Sequence, residues 1–154
     1  MSRIRASLLG LWVAAACGGP GPDTAVVVRA VDGDTVDLDT GDRVRYLMVD
    51  TPESTTEVEC YGPEAAAFNA DLVEGVEVEL RYDEELTDSY GRLLAYVSVE
   101  GREINALLVE RGFACVLYIP PNGAGRRDEF ESLEATARAQ ARGLWGACPE
   151  IPCN

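Results

Sequence analysis

The chain has 154 residues, 47% of them apolar and 26% charged, with a formal net charge of −14; this is one packed, acidic domain's worth of polypeptide. It contains no His and no Lys, every basic residue being Arg, which excludes Ser-His-Asp and Cys-His catalysis and His-ligated zinc and leaves Asp, Glu and Tyr as general bases. So acidic a chain is a poor tight binder of duplex nucleic acid, which draws on a broad basic face, whereas an enzyme acting on phosphates needs only a local positive patch, to which a divalent cation can add.

At the N-terminus a short basic region, Met1 to Arg5, precedes an apolar run from Ala6 to Ala16 that is too short to span a bilayer. Residues 1–16 therefore read as an export signal. Cys17 follows Ala14-Ala15-Ala16 and resembles the lipobox cysteine of bacterial lipoproteins, with Ala14 where Leu is usual. Cys17 is the candidate lipidation site and membrane anchor; the alternative is an ordinary secretory signal with Cys17 a bystander. Gly18 to Thr24 is rich in Gly and Pro, so residues 17–24 read as a tether. The expected location is exported: a cell-envelope lipoprotein or a secreted protein.

From Ala25 to Asp50 the sequence is strand-like in three pieces, 25–31, 35–39 and 43–50, broken by turns at Asp32-Gly33 and Thr40-Gly41-Asp42. Gly62-Pro63-Glu64 opens an Ala-rich helix that ends by Gly75. Val76 to Tyr82 alternates apolar and charged residues as a half-buried strand; a polar turn at 87–91 leads into a fifth strand, Leu93 to Val99. A helix over 104–111 ends at Gly112, residues 113–119 are a brief extended piece, and 127–142 has helical spacing, closed by Gly143-Leu144-Trp145. Five strands with inserted and appended helices predict an α+β fold, a five-stranded barrel of the OB type with three helices, over residues 25–147.

Beyond Cys17 there are four cysteines, Cys60, Cys115, Cys148 and Cys153. An even number in an exported small domain implies two disulfides. Three pairings are open; Cys148 and Cys153 in the tail, residues 148–154, point to a stapled C-terminus. No C-x-x-C spacing supports zinc.

Three segments carry candidate chemistry: Val31-Asp-Gly-Asp-Thr35, Arg45-Tyr-Leu-Met-Val-Asp-Thr-Pro-Glu53 and Asp88-Ser-Tyr-Gly-Arg92. Each alone is explicable as a turn or strand end. Together, in this order on these strands, they resemble the staphylococcal (micrococcal) nuclease-like family. The resemblance also includes Tyr61-Gly-Pro-Glu-Ala65, Leu94-Ala-Tyr96, Glu131 to Ala135 and Leu144-Trp145, and runs from Val26 to Trp145.

The resemblance implies a calcium-dependent nuclease that hydrolyses DNA and RNA with little sequence specificity, prefers single strands and leaves 3′-phosphate ends. It makes Asp34, Asp50 and the Thr51 carbonyl the ligands of Ca²⁺, an all-oxygen set that suits a hard cation. It makes Glu53 the general base, Arg45 and Arg92 the groups that grip the scissile phosphate, and Tyr90 and Tyr118 the lining of the nucleotide pocket. Ser89 stands where a basic residue is familiar, the segment Tyr118-Ile-Pro-Pro121 lacks a second tyrosine, and the loop from Glu53 to Tyr61 is short; these departures bear on affinity and substrate preference. Two alternatives stand beside the enzyme: a non-catalytic binding module on the same barrel, and a surface lipoprotein with a structural Ca²⁺. No apolar surface helix is evident, so the chain is expected to be a monomer.

Overall fold

The computed structural model describes residues 21–153. The expected signal and Cys17 lie outside the described residues. In chain order the elements are β1 (Thr24–Ala30), β2 (Thr35–Leu38), β3 (Arg43–Tyr46), β4 (Val49–Asp50), α1 (Gly62–Val73), β5 (Glu77–Thr87), β6 (Leu93–Val99), β7 (Arg102–Glu103), α2 (Ile104–Arg111), β8 (Cys115–Val116), α3 (Arg127–Ala139) and the short α4 (Leu144–Ala147).

β1, β2 and β3 form the antiparallel meander that their β-branched runs predict. β5 pairs antiparallel with β1 and with β6. β3 then pairs in parallel with β6, Arg45 opposite Leu94, and this closes β3-β2-β1-β5-β6 into a five-stranded barrel. Closure leaves no long open edge and puts alternate residues inside. Val27, Val36, Val44, Val78 and Val97 are wholly buried there, with Leu108 of α2 and Phe130 of α3 packed over them. With α1, α2 and α3 around the barrel, the architecture is the α+β, OB-type fold expected.

The structure departs from the expected elements where packing overrides pattern. The strand expected over 43–50 stops at Tyr46. Met48 adopts a left-handed backbone (φ 66°) and Val49–Asp50 leaves the barrel to pair with β8. Leu47, Met48 and Val49 are all buried, so no polar residue marks the turn. β5 runs to Thr87, beyond Tyr82, although its outer half is polar. Asn122 serves that half as a strand neighbour, accepting from Glu85 N–H (2.7 Å) and donating to Glu85 C=O (2.8 Å). Only Cys115–Val116 of the extended piece 113–119 is strand. At the N-terminus, Tyr82 hydroxyl and Leu80 N–H donate to the carbonyls of Pro22 (2.7 Å) and Asp23 (2.8 Å). The end of the segment read as a tether is therefore held on the sheet.

Two buried asparagines fix irregular backbone to the barrel. Asn69 of α1 accepts from Tyr46 hydroxyl (3.0 Å) and donates to Asp32 C=O (2.9 Å), anchoring the β1–β2 turn. Asn105 of α2 donates to Leu47 C=O (2.9 Å) and Ala95 C=O (3.2 Å) and accepts from Val97 N–H (2.9 Å). It thereby ties the break after β3 to β6.

Of the three possible pairings, the cysteines form Cys60–Cys148, with Cα atoms 5.8 Å apart and a sequence separation of 88, and Cys115–Cys153, 6.0 Å apart with a sequence separation of 38. Both hold the C-terminal tail. Loops of such length restrict the unfolded chain by about 4 to 5 kcal/mol per bridge in the chain-entropy account.

Replacing Asn105 by Ala strands a buried N–H on Val97 and a buried carbonyl on Leu47. The expected cost is about 2–4 kcal/mol, read as a lower urea midpoint at unchanged slope with both disulfides intact.

Candidate active site

Asp34 stands just before β2 and is 4% exposed, so its carboxylate must be satisfied by the protein. Oδ2 accepts from Thr51 N–H and Thr51 hydroxyl, both at 2.9 Å. Oδ1 accepts from Thr35 hydroxyl at 3.1 Å and faces Arg45 Nε at 3.2 Å. A carboxylate from the first hairpin is thus locked to the segment that follows β4.

That lock requires a close approach. A Cβ on Gly33 would lie 2.7 Å from the Thr51 side chain, and one on Gly62 would collide with Glu53 C=O. The Asp32-Gly33 pair was expected as a hairpin signal; Gly33 is needed for its contact with Thr51. Segment 51–53 passes between these two glycines.

Arg45 of β3 gathers the site. Its side chain is 14% exposed, and every guanidinium nitrogen has a partner. Nη1 donates to Tyr46 C=O (2.9 Å) and Val49 C=O (2.8 Å), spanning the turn between them. On the adjoining edge Nε faces Asp34 Oδ1 and Nη2 faces Asp50 Oδ1, each at 3.2 Å. One edge of a guanidinium carrying an oxygen from each of two carboxylates brings Asp34 and Asp50 side by side. Burial pushes the Asp50 carboxyl up, and the charges of Asp34 and Glu59 add to the push while Arg45 opposes it. Asp32, half-buried beside Asp34, is pushed up to about 6 by burial and by that neighbour's charge.

Glu53 begins the loop after β4. Its Oε1 accepts from Ser54 N–H (2.8 Å), Thr55 N–H (2.6 Å) and Thr55 hydroxyl (2.6 Å), and these bonds, the Thr55 hydroxyl first, hold its carboxyl below the usual range. The Thr56 N–H adds to this effect, and the three short bonds all fall on Oε1, leaving Oε2 the less engaged oxygen.

Arg92 enters from the β5–β6 turn. Asp88 shapes that turn, accepting from the N–H groups of Tyr90 (2.9 Å) and Arg92 (3.0 Å) and from Arg92 Nε (2.7 Å). Among the described residues the Arg92 Nη atoms donate to nothing, unlike those of Arg45. Arg92 and Arg45 line one groove of about 880 Å³ with Tyr90, Leu86 and Ile119. Tyr90 is 85% exposed, its ring centroid 5.5 Å from the Arg92 guanidinium carbon. Tyr118 is not in the lining of this groove; it lies under Arg127, at 5.2 Å, and Ile119 takes the groove position.

The donors here fit a hard divalent cation. Asp34 and Asp50 are adjacent, repel each other, and are accompanied by the Thr51 backbone; nothing in the sequence supplies imidazole. Among the described residues no three acidic or cysteine side chains converge as a metal cage, so such a cation would keep an open coordination shell.

Several contributors were not singled out by the sequence reading. Asp88 and Asn122 shape the groove wall, Asn69 holds the Asp32 backbone, and Glu59 holds Glu53. Of these, Asp88 lies within the segment Asp88-Ser-Tyr-Gly-Arg92, where it reads as a turn residue with no role of its own. The others are ordinary polar residues whose importance comes from burial or long-range contact.

A family model described as staphylococcal nuclease homologue matches residues 43–147. Similar proteins include the SPbeta prophage-derived endonuclease YokF of Bacillus subtilis (strain 168), 37% identical over 76% of this chain and 42% of its own length. Endonuclease YncB of the same organism is 37% identical over 76% of this chain and 59% of its own. The thermonuclease of Staphylococcus intermedius is 36% identical over 78% of this chain and 72% of its own. The chain thus spans about half the length of the two Bacillus relatives and most of the staphylococcal one. With the barrel, the Asp34-Arg45-Asp50 cluster and these matches together, the chain belongs to the staphylococcal nuclease family.

Proposed function

We propose that the protein is an exported, Ca²⁺-dependent nuclease that hydrolyses phosphodiester bonds of DNA and RNA with little sequence preference. The observation that carries this reading is the paired carboxylates of Asp34 and Asp50 on one edge of Arg45, beside a groove in which Arg92 keeps free guanidinium donors.

Asp34, Asp50 and the Thr51 carbonyl would hold the cation, which when bound supplies positive charge beside the scissile phosphate. Arg92 has Nη donors available, so it is the first group to meet a phosphate; Arg45 adds fixed positive charge from below. As water attacks phosphorus, charge grows on the non-bridging oxygens, and donors already in place stabilise that state more than the ground state. Glu53, kept ionised by its loop hydrogen bonds, accepts the proton of the attacking water through its less engaged oxygen. The bond to the 5′-oxygen breaks, that oxygen takes up a proton, and a 3′-phosphate end remains. A carboxylate held low is a weak base at neutral pH, so charge stabilisation must provide most of the rate.

The exposed ring of Tyr90 offers a stacking face that any base can use, and only an unstacked base can reach it, which supports a preference for single strands. Export is supported by the basic-apolar N-terminus and by two disulfides in a small domain. An anchor at Cys17 and a monomeric state belong to the same proposal.

Purified chain is expected to cut single-stranded DNA and RNA with Ca²⁺ and not with chelator. Glu53→Gln should lower kcat about 10²-fold or more at similar KM; no cleavage by folded wild-type protein would leave the binding module standing. Separately, Ca²⁺ at about a hundred times its Kd should stabilise the chain by about 2.7 kcal/mol in thermal melts, and Asp50→Asn should remove that response.

A further inference from the structure

Glu53 is carried by a segment with little packing of its own. Thr55 to Val58 are exposed, Val58 by 62%. The loop is closed by Glu59, whose carboxylate accepts from Glu53 N–H (2.8 Å) and whose own N–H donates to Glu53 C=O (2.9 Å). Both backbone polar groups of Glu53 therefore end on one residue. The residue after Glu59 is Cys60, bonded to Cys148 just beyond α4. At the other end of the tail, Cys153 is bonded to Cys115, which stands opposite Asp50 in the β4–β8 pair.

We infer that the tail 148–153 is a covalent brace for the site, and that Cys60 and Cys148 are positioning residues that act on Glu53 through Glu59. This rests on the reading of Glu53 as the base. Two short contacts join Glu53 to Glu59, and Glu59 is tied onward by one hydrogen bond to the start of α1 (Gly62 N–H to Glu59 C=O, 3.1 Å) and, through the adjoining Cys60, by the bridge to Cys148, so loss of the bridge removes the covalent tie and leaves the Glu59 end, and Glu53 with it, more mobile. A displacement of about 1 Å at a catalytic group is enough to cost on the order of 10²-fold in rate. The two bridges differ in access. Cys60 is exposed whereas Cys115 is 3% exposed, so a dithiol reductant reaches Cys60–Cys148 first, being oxidised to its own disulfide as the protein disulfide takes two electrons and two protons to become two thiols. The chain is then folded but slow, and regains its rate when the bridge re-forms in an oxidising compartment.

The test compares oxidised wild type with C60S/C148S, Glu59→Ala and the core control Val27→Ala, at a temperature where circular dichroism shows each folded. Cleavage of single-stranded DNA with Ca²⁺ gives kcat and KM, and hydrogen exchange gives the protection of the Glu53 and Glu59 amides. C60S/C148S and Glu59→Ala are expected to lose at least about tenfold in kcat with KM within about twofold. The two amides should exchange faster while that of Val97 does not, and Val27→Ala should keep its kcat. Wild-type kcat in C60S/C148S, or an equal fall in Val27→Ala, overturns the brace. Should C60S/C148S not fold, Glu59→Ala decides by the same kcat criterion. Inactive wild-type protein would instead count against the nuclease reading; the brace is then decided by exchange alone, and unchanged protection of Glu53 in C60S/C148S overturns it.

Discussion

The site is organised around one half-buried positive charge. Arg45 leaves the barrel wall with a side chain 14% exposed, and a guanidinium in that position must be met by acceptors on every nitrogen or the fold loses stability. Two acceptors are the carbonyls of Tyr46 and Val49, which can both reach Nη1 only if the chain turns between them. The left-handed Met48 is that turn, at a local backbone cost of about 1–2 kcal/mol. The turn sends Val49–Asp50 out of the barrel and delivers Asp50 to the edge that already faces Asp34. One guanidinium thus joins the two features: its Nη1 spans the strand break, and its other edge holds Asp34 and Asp50 side by side.

This explains which parts of the molecule are readable from the sequence. The barrel strands declare themselves through β-branched alternation, and the helices through caps and spacing, because one face is buried and the other wet. Where both faces are buried the signal vanishes. Leu47-Met48-Val49 reads as a continuing strand although it turns, since the barrel interior and the helices beyond it both take apolar residues. The outer half of β5 fails in the opposite way: it is polar and exposed, and only the distant Asn122 makes it a strand. Asp34, Arg45, Asp50, Glu53 and Arg92 can be singled out together because they lie in three short segments at fixed order, and of these the structure joins Asp34, Arg45 and Asp50 directly and places Arg92 with Arg45 on one groove. Tyr118 illustrates the limit of that method. A tyrosine in the right segment is drawn under Arg127, and the neighbouring Ile119 faces the groove; a shift of one residue in an irregular stretch exchanges the two, and no local pattern sets it.

The acid-rich composition becomes intelligible at the same level. Most arginines are committed to carboxylates: Arg29 and Arg43 share Asp37, Arg126 is held by Glu103 and Glu129, and Arg127 pairs with Glu131. The exposed ones among these contribute little to stability, but together they leave little uncommitted positive charge on the surface. Asp88 takes only the Nε of Arg92 and spends its remaining capacity on the backbone of the turn, as Glu131 takes only the Nε of Arg127, but Arg92 is the one of these two that lines the groove. A phosphate approaching the groove therefore meets a few oriented donors in place of a broad basic field. Affinity without a cation should accordingly be small, and salt should matter less than for binders that neutralise many phosphates.

The same economy governs how the segment that carries Thr51 and Glu53 is kept in place. Residues 51–53 carry no strand or helix of their own. They are held from one side by Asp34 and from the other by Glu59, with Gly33 and Gly62 allowing backbone to approach where any side chain would intrude. Short-range contacts of this kind fix a position sharply but tolerate no displacement of the elements that supply them. The first hairpin is secured by Asn69 from α1, and the β4–β8 pair and the loop end are each secured by a cysteine. A small barrel with few residues to spare for a supporting layer thereby supplements packing with buried amides and covalent bonds.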